Sequence, residues 1–473
     1  MSTTYDVRIF AIREHKGTDR KTGKPRSTYR VRWKVAGKEF GKTFQTRALA
    51  ESFRSKLITA QREGVAFDEP TGLPEPMARE LNTCSWYAHA VAYVDMKWPG
   101  ASAKHRKGIA DTLATVTPAL LATDRGAPDD KTMRAALYSY VFNRTRREAG
   151  PPPARLAGAV AWLEANTVNL SALTDAGLVR KALDTIATLT TGGAAAASTV
   201  NRKRAVFSGC LKYAVELRRL DVHPLTLVSW KAPRSTDAVD RRVVVNRKQG
   251  TALLAAVRED TPELTAFFGC MYEAALRPEE ALHLTEEEYE RPSKPGEWGW
   301  LHLSGATLTV GEGWGNGPGT VEDRELKHRA KKTSRDVPAS PALCEMLDWH
   351  LTKYGAGPGG RLFVTRRGPR GIFVTPKARP VPNNTYTTVW RRARRKALTA
   401  AQVASPLAKR PYDLRHAAVS LWLNAGVPPK QVADWAGNSV HVLLRVYASC
   451  IDGQEDAARR RIEEAQREDE ADS

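Results

Sequence analysis

The sequence runs to 473 residues, too long for one hydrophobic core, so two or three domains are expected. Hydrophobic residues make up 42%, which excludes wholesale disorder, and no apolar run reaches the length needed to span a bilayer. A net charge of +21 attracts polyanions, nucleic acid first among them, although a basic soluble enzyme of another kind would share this composition.

Five cysteines, at 84, 210, 270, 344 and 450, lie far apart with no C-x-x-C pair. The odd count and wide spacing argue against a disulfide framework or a zinc site and suit a reducing cytoplasm. The opening MSTTYDVRIFAIREHKG has no apolar h-region, so a secretory signal is not expected.

The first block covers residues 1–66. YRVRWKV alternates strictly, with Tyr29, Val31, Trp33 and Val35 on one face and Arg30, Arg32 and Lys34 on the other, which predicts a half-buried strand. Ala36-Gly37 turns it into a second strand, KEFGKTF, and Thr46 is placed to cap a helix over RALAESFRSKLITAQRE. Residues 1–64 carry 16 Lys and Arg against 6 Asp and Glu. A basic sheet backed by one helix suits DNA; a solvated strand face is the plainer alternative. EPTGLPEPMARE, with three Pro, reads as a linker.

The second block, 83–228, is helical in period. WYAHAVAYVDMKW, RAALYSYVFNRTR, AGAVAWLEANT and TVNRKRAVFSGCLKYAVELRRL all place apolar residues three and four apart. In the last, Arg202 and Lys203 flank Val206, Phe207 and Leu211, as a helix along a phosphate backbone would; an ordinary solvated face remains open. WKAPRSTDAVDRRVVV reads as a second linker. The third block, 240–473, begins with helices over KQGTALLAAVRED and ELTAFFGCMYEAALRPEEALHL, passes through strands and turns from about 298 to 339, and returns to helices. TYTTVWRRARRKAL sets Arg391, Arg392, Arg394 and Arg395 on one helical stretch able to neutralise several phosphates. The last 23 residues reverse sign, with 9 acids against 4 Arg.

Cutting a phosphodiester without a metal requires fixed cations on the non-bridging oxygens, a nucleophile that becomes covalently attached, and an acid for the departing sugar oxygen. The third block offers such parts in order. Arg277 precedes a Pro where one helix should end and the next begin, with Glu280 three residues on. Arg415 falls in the first turn of a helix over YDLRHAAVSLWL. NAGVPPKQVADWAG gives a turn and a short helix that Pro428 or Pro429 can start, and Tyr447 lies in GNSVHVLLRVYA. Taken singly, each has a structural reading: Arg277 as a cap, Tyr447 as core beside Val442, Leu443 and Val446, His416 as a packed ring.

Together these motifs resemble the catalytic domain of the tyrosine recombinases, the phage-type and mobile-element integrases. The family's first box, Arg-x-x-Glu, is matched by Arg277 and Glu280. Its second, H-x-L-R-H, stands here as Y-D-L-R-H around Arg415. Its third, L-G-H-S with Tyr nine residues after the His, stands here as A-G-N-S with Tyr447 nine residues after Asn438. The match spans about 240–450; the two preceding blocks agree in layout only.

The resemblance implies a multidomain, mainly α fold with small β-sheets: an arm-type DNA-binding module, a helical core-binding domain and a mixed α+β catalytic domain. It implies a site-specific recombinase that cuts and rejoins DNA through a 3′-phosphotyrosyl link without metal, ATP or other cofactor. Tyr447 would be the nucleophile, and Arg277 and Arg415 the phosphate clamps. The family also places a general-acid Lys in a hairpin between its Arg boxes. Lys327 in DRELKHRAKKTSRDVP is the first choice, with Lys331 and Lys332 as rivals. RELKHR and RDVP would be the two strands. Tyr412 and Asn438 depart from the family's usual His and His or Trp, which puts the base in doubt; His416 or His441 could compensate. The implied partners are double-stranded attachment sites, three further copies in a tetramer with the tail exchanged or simply solvated, and a directionality factor, all in a bacterial cytoplasm at the nucleoid. A type IB topoisomerase-like enzyme and a non-enzymatic DNA-binding regulator with a degenerate site are the rivals.

Overall fold

A computed structural model describes residues 3–18, 25–82, 84–189, 191–233, 238–317, 319–326, 334–367, 373–447, 450, 459, 460 and 463. The chain divides into two compact units, Met1–Arg234 and Ser235–Ser473. Helices dominate both, and the strands form small separate antiparallel sheets.

In the first unit, the predicted alternation is realised. Pro25–Val35 is the central strand of a basic sheet, with Val31, Trp33 and Val35 buried and Lys34 exposed. It pairs with Lys38–Phe44 through a two-residue turn in which Ala36 and Gly37 both have positive φ, the primed geometry that matches strand twist. Thr46 caps the helix Arg47–Arg62 by accepting from the Leu49 amide, and Ala50, Phe53 and Leu57 seal the sheet's inner face.

The expected linker after this module is instead folded into it. Phe67–Asp68 pairs with both Thr3–Thr4 and Leu73–Pro74, and Glu75–Asn82 is helical. Phe67 is fully buried in the module's core, and the Trp33 indole donates to the Gly72 carbonyl. Asp68 accepts from the Thr71 amide and hydroxyl, closing the turn that Gly72 completes at φ +68°. Proline and glycine density marked a turn here, and an apolar anchor on its flank made it structure.

The helical block follows as Trp86–Lys97, Ala103–Val116, Ala154–Asn166, Ala176–Ala187 and Ala197–Glu216, with shorter pieces between. RAALYSYVFNRTR is not one helix. It runs through a π-turn at Leu137–Val141 and breaks at Asn143, whose side chain caps Arg144–Ala149.

The second unit packs around one large core. Thr265–Glu273 is buried along most of its length, and Phe267 meets Phe268, Phe363 and Tyr386 at ring separations of 5.1–5.5 Å. The 230–245 stretch also departs from a plain linker, because Val239 and Val245 enter this core. The hairpin expected from RELKHR and RDVP is not formed by the described strands. Val321–Glu325 pairs with Gly305–Thr309, and Arg335–Ala339 pairs with Gly299–Leu303. Arg335–Ala339 forms its antiparallel ladder with Gly299–Leu303, so RDVP and the described start of RELKHR, Arg324 and Glu325, belong to different sheets. Lys327, Lys331, Lys332 and nearly all of the acidic tail lie outside the described residues. No helix among the described residues is long and apolar enough to cross a membrane.

Phe267→Ala should remove a fully buried ring from this aromatic cluster at a cost of about 3–5 kcal/mol. A urea melt of the full chain should show the transition of the second unit moving to lower denaturant while that of the first stays in place.

Candidate active site

The site is assembled from the ends of elements: two helix starts, one strand start and three helix C-termini. Thr265–Glu273 stops at Ala274, and Ala275 then adopts φ +51°, a left-handed conformation strained for a residue with a Cβ. That turn aims the Ala275 carbonyl at Arg415, which donates to it through Nη1. Arg277 is the N-cap of Pro278–Ala281, with Pro278 at N1 where a missing amide costs nothing.

Glu280 organises the cluster. It is 2% exposed, and its carboxylate accepts from the Arg277 amide at 2.8 Å and from Arg277 Nη1 at 2.6 Å. On its other side it accepts from Arg335 through two parallel bonds of 3.0 and 2.7 Å. Burial favours the neutral acid, yet Arg335, Arg277 and Arg415 together hold the carboxyl down to about 2.

Arg335 was not singled out by the sequence. It opens the strand Arg335–Ala339 and is 2% exposed, in phase with buried Val337 and Ala339. Gly437 lies against it. This glycine ends the helix Pro429–Ala436 at φ +63°, and a Cβ there would overlap the Arg335 guanidinium. Both conformation and space therefore demand glycine.

Asn438 joins the two predicted clamps. Its Oδ1 accepts from Arg277 Nη2 at 3.1 Å and from Arg415 Nη2 at 3.5 Å, while Arg277 Nη2 also reaches the Gly437 carbonyl at 2.9 Å. The amide thus presents its oxygen to the guanidiniums rather than its NH₂ to a ligand. Arg415, third residue of the helix Asp413–Asn424, is 1% exposed, and burial and the Arg277 charge both lower its proton affinity. Its guanidinium sits 5.9 Å from the Tyr412 ring centroid. Arg277, Arg335 and Arg415 against Glu280 leave two positive charges uncompensated within the cluster. The Nε groups of Arg335 and Arg415 are buried without a hydrogen-bond partner among the described residues.

Tyr447 ends the helix Val440–Tyr447 and is 2% exposed. The Val239 amide donates to the neighbouring Val446 carbonyl at 2.8 Å, holding this helix end to the core. Burial raises the phenol well above its usual value, opposed by the charges of Arg415 and Arg277. The Tyr447 oxygen lies 2.9 Å from His416 Nδ1. The imidazole is flanked by the rings of Tyr412 and Tyr447 at 5.1 and 5.6 Å, and burial with Arg410 and Arg415 pushes it down to about 4, so it is neutral near pH 7. His416, expected as a packed ring, is therefore in contact with the predicted nucleophile. His441 is exposed on the outer side of the same helix.

The predicted phosphate-binding cations divide. Arg30, Lys34, Arg202, Arg391 and Arg395 are exposed. Arg32 pairs with Glu39 at 3.3 Å, and Arg392 pairs with Asp260 at 2.8 Å. Two predicted DNA contacts are structural instead. Lys203 donates to Thr115 at 2.7 Å and pairs with Asp111 at 3.1 Å inside the helical block. Arg394 is 6% exposed and gathers the carbonyls of Leu407, Val403 and Ser405. Each falls on the apolar stripe of its helix, four residues from Phe207 and from Trp390 respectively, and that phase fixes its direction inward.

No family model and no curated protein matches the sequence. Solved structures do resemble it. A Tn1549 transposon integrase fragment in complex with a circular intermediate DNA is similar at 15% identity and TM-score 0.43, covering 67% of this chain and 96% of that one. XerH site-specific recombinase bound to its difH substrate is similar at 12% identity and TM-score 0.42, covering 80% and 94%. A lambda integrase tetramer bound to a Holliday junction is similar at 12% identity and TM-score 0.42, covering 87% and 89%.

Glu280 gives the cluster a pH signature. Its folded pKa lies below the usual carboxyl value near 4.5, so its contribution is present above that pH and is lost as pH falls toward about 2. Glu280→Gln should abolish this acid-side loss and destabilise the second unit by about 3–5 kcal/mol at neutral pH, because two buried guanidiniums lose their counter-charge. Urea melts of both proteins between pH 7 and pH 3 measure it.

Proposed function

We propose that this chain is a tyrosine-type site-specific DNA recombinase, an integrase that cuts and rejoins DNA at the attachment sites of a mobile element. The observation that carries the reading is the meeting of Arg277 and Arg415, 138 positions apart in sequence, on one amide oxygen within the field acting on the Tyr447 phenol. The order and spacing of the sequence boxes support it independently.

A scissile phosphate would take the place for which the cluster's positive charge is unbalanced. Guanidinium forks suit the non-bridging oxygens, and they act most strongly where charge accumulates in the pentavalent transition state. Tyr447 Oη attacks phosphorus, forming a 3′-phosphotyrosyl bond as the bond to the 5′-oxygen breaks. Lys327 is proposed as the donor of the proton that this oxygen takes. A 5′-hydroxyl from a second strand then reverses the attack, so the phosphoester bond energy is conserved through the exchange. Glu280 and Arg335 keep Arg277 in register without touching DNA. The sheet of the first unit and its helical block would bind flanking DNA, and the working assembly would be a tetramer with its acidic tails exchanged, open to a directionality factor.

A second reading, a DNA-binding regulator with a silenced site, is favoured by Tyr412 and Asn438 standing at positions where the family usually has His, and His or Trp. The two readings part on one assay. DNA from the flank of the gene, nicked to trap the covalent state, should give a detergent-resistant adduct with the native chain and none with Tyr447→Phe. Arg277→Ala should reduce adduct by about 10²–10³-fold. A site-specific footprint with no adduct from the native chain would establish the regulator instead.

The surface cations make a further expectation. Arg391→Ala or Arg395→Ala should each lower the salt slope of DNA binding by about 1, whereas Arg394→Ala should leave the slope unchanged and lower the melting temperature. Affinity measured from 50 to 300 mM salt, with thermal melts alongside, separates the two classes.

A further inference from the structure

We propose that His416 is the base that takes the phenolic proton of Tyr447 during strand cleavage, a catalytic role that rests on the recombinase reading above. The two rings already meet, with the phenol oxygen 2.9 Å from Nδ1, within the range a proton transfer needs. In the neutral tautomer carrying its proton on Nε2, Nδ1 offers a lone pair and the phenol donates to it.

The other polar groups of the site among the described residues are committed or unsuitable. Asn438 has its amide oxygen turned to Arg277 and Arg415, and an amide takes no proton near neutral pH. Glu280 is fully occupied by Arg277 and Arg335. Asp413 is fully buried and paired with Arg410 at 3.0 Å. Tyr412 is itself a phenol. His441 precedes Tyr447 by six residues, about 240° around the helix, and so faces elsewhere.

The groups acting on the imidazole are Arg410 and Arg415, whose charges with burial keep it unprotonated, and the rings of Tyr412 and Tyr447 beside it. His416 is therefore a weak base beside the bare Arg415 guanidinium and becomes a stronger one beside a bound phosphodiester. A phosphodiester bound to Arg415 brings a negative charge that offsets the field holding His416 neutral. Proton affinity at Nδ1 therefore rises with the arrival of the group to be attacked, that of the phenol rises with it, and the proton moves as the Oη–phosphorus bond forms. In the step, the Tyr447 Oη–phosphorus bond forms, the bond from phosphorus to the 5′-oxygen breaks, and the phenol proton moves to Nδ1 to give an imidazolium. The departing 5′-oxygen takes a different proton, from the general acid. On religation the imidazolium returns its proton to the phenolate.

The test is the rate of covalent adduct formation by the full chain and by His416→Asn on the nicked flank DNA, from pH 5.5 to 9. The native rate should level off toward neutral pH. His416→Asn should be slower by about 10²–10³-fold near pH 7 and then climb about tenfold per pH unit, as hydroxide replaces the base. Its DNA affinity and melting temperature should match the native chain, which a merely structural histidine would not allow. A substrate with sulfur at the 5′-bridging position, which leaves without a proton, should not restore the variant. Equal rates for the two proteins, a shared pH profile, or rescue by bridging sulfur would overturn the proposal while leaving the recombinase reading intact. No adduct from the native chain at any pH would overturn both. Should the variant fail to fold, ¹⁵N-histidine NMR of the native chain decides: a proton on Nε2 at pH 7 supports the assignment, and a proton on Nδ1 refutes it.

Discussion

One buried carboxylate holds the site together. Glu280 sits between Arg277 and Arg335, and without its charge two guanidiniums would face each other in the interior of the second unit. Because it binds one arginine from a helix cap and another from a strand start, it fixes the register between those elements. Arg335 in turn leaves no room for a side chain at Gly437, the residue before Asn438, and Asn438 receives both Arg277 and Arg415. Buried ion pairs are seldom net stabilisers against a well-packed apolar alternative. Their use here is positional, and the surplus of positive charge that remains is the feature an anionic ligand would satisfy.

The proposed nucleophile is held by opposing influences. Burial keeps the Tyr447 phenol protonated, while Arg415 and Arg277 pull toward the phenolate. His416 is held neutral by burial and by positive charges, Arg415 among them. Arg415 thus lowers the proton affinity of both the phenol and the imidazole, and an anion bound to it would raise both. Coupled groups of this kind titrate as a set, so the site's response to pH belongs to the cluster rather than to one ring.

Much of this was legible in the sequence, and the misses share a physical cause. The alternation from Tyr29 to Val35, the Ala36-Gly37 turn, the Thr46 cap and the helix start at Pro278 follow from local rules and are realised. The spacing of Arg277, Arg415, Asn438 and Tyr447 also marked residues that the fold brings together. The errors concern charged residues read by type rather than by phase. Lys203 and Arg394 lie on the apolar stripes of their helices, and Arg335 lies in register with Val337 and Ala339, so each is carried inward to an internal partner. A cation in phase with the hydrophobic period anchors structure; a cation out of phase meets solvent and its ligands. The pairing of RDVP with Gly299–Leu303 has no such local signal, because it joins segments more than 30 residues apart in sequence. Ala275 gave no signal either, since alanine rarely takes the left-handed conformation that aims its carbonyl at Arg415.

The most direct measurement is a crystal structure of the full chain with DNA from the gene's flank and orthovanadate, which mimics the pentavalent phosphorus. Vanadium bonded to Tyr447 Oη, with its equatorial oxygens within hydrogen-bond reach of Arg277 and Arg415, is the predicted result. Vanadate bound elsewhere, or Tyr447 still enclosed while DNA occupies the protein, would contradict the convergence of the two guanidiniums and the phenol on one phosphate.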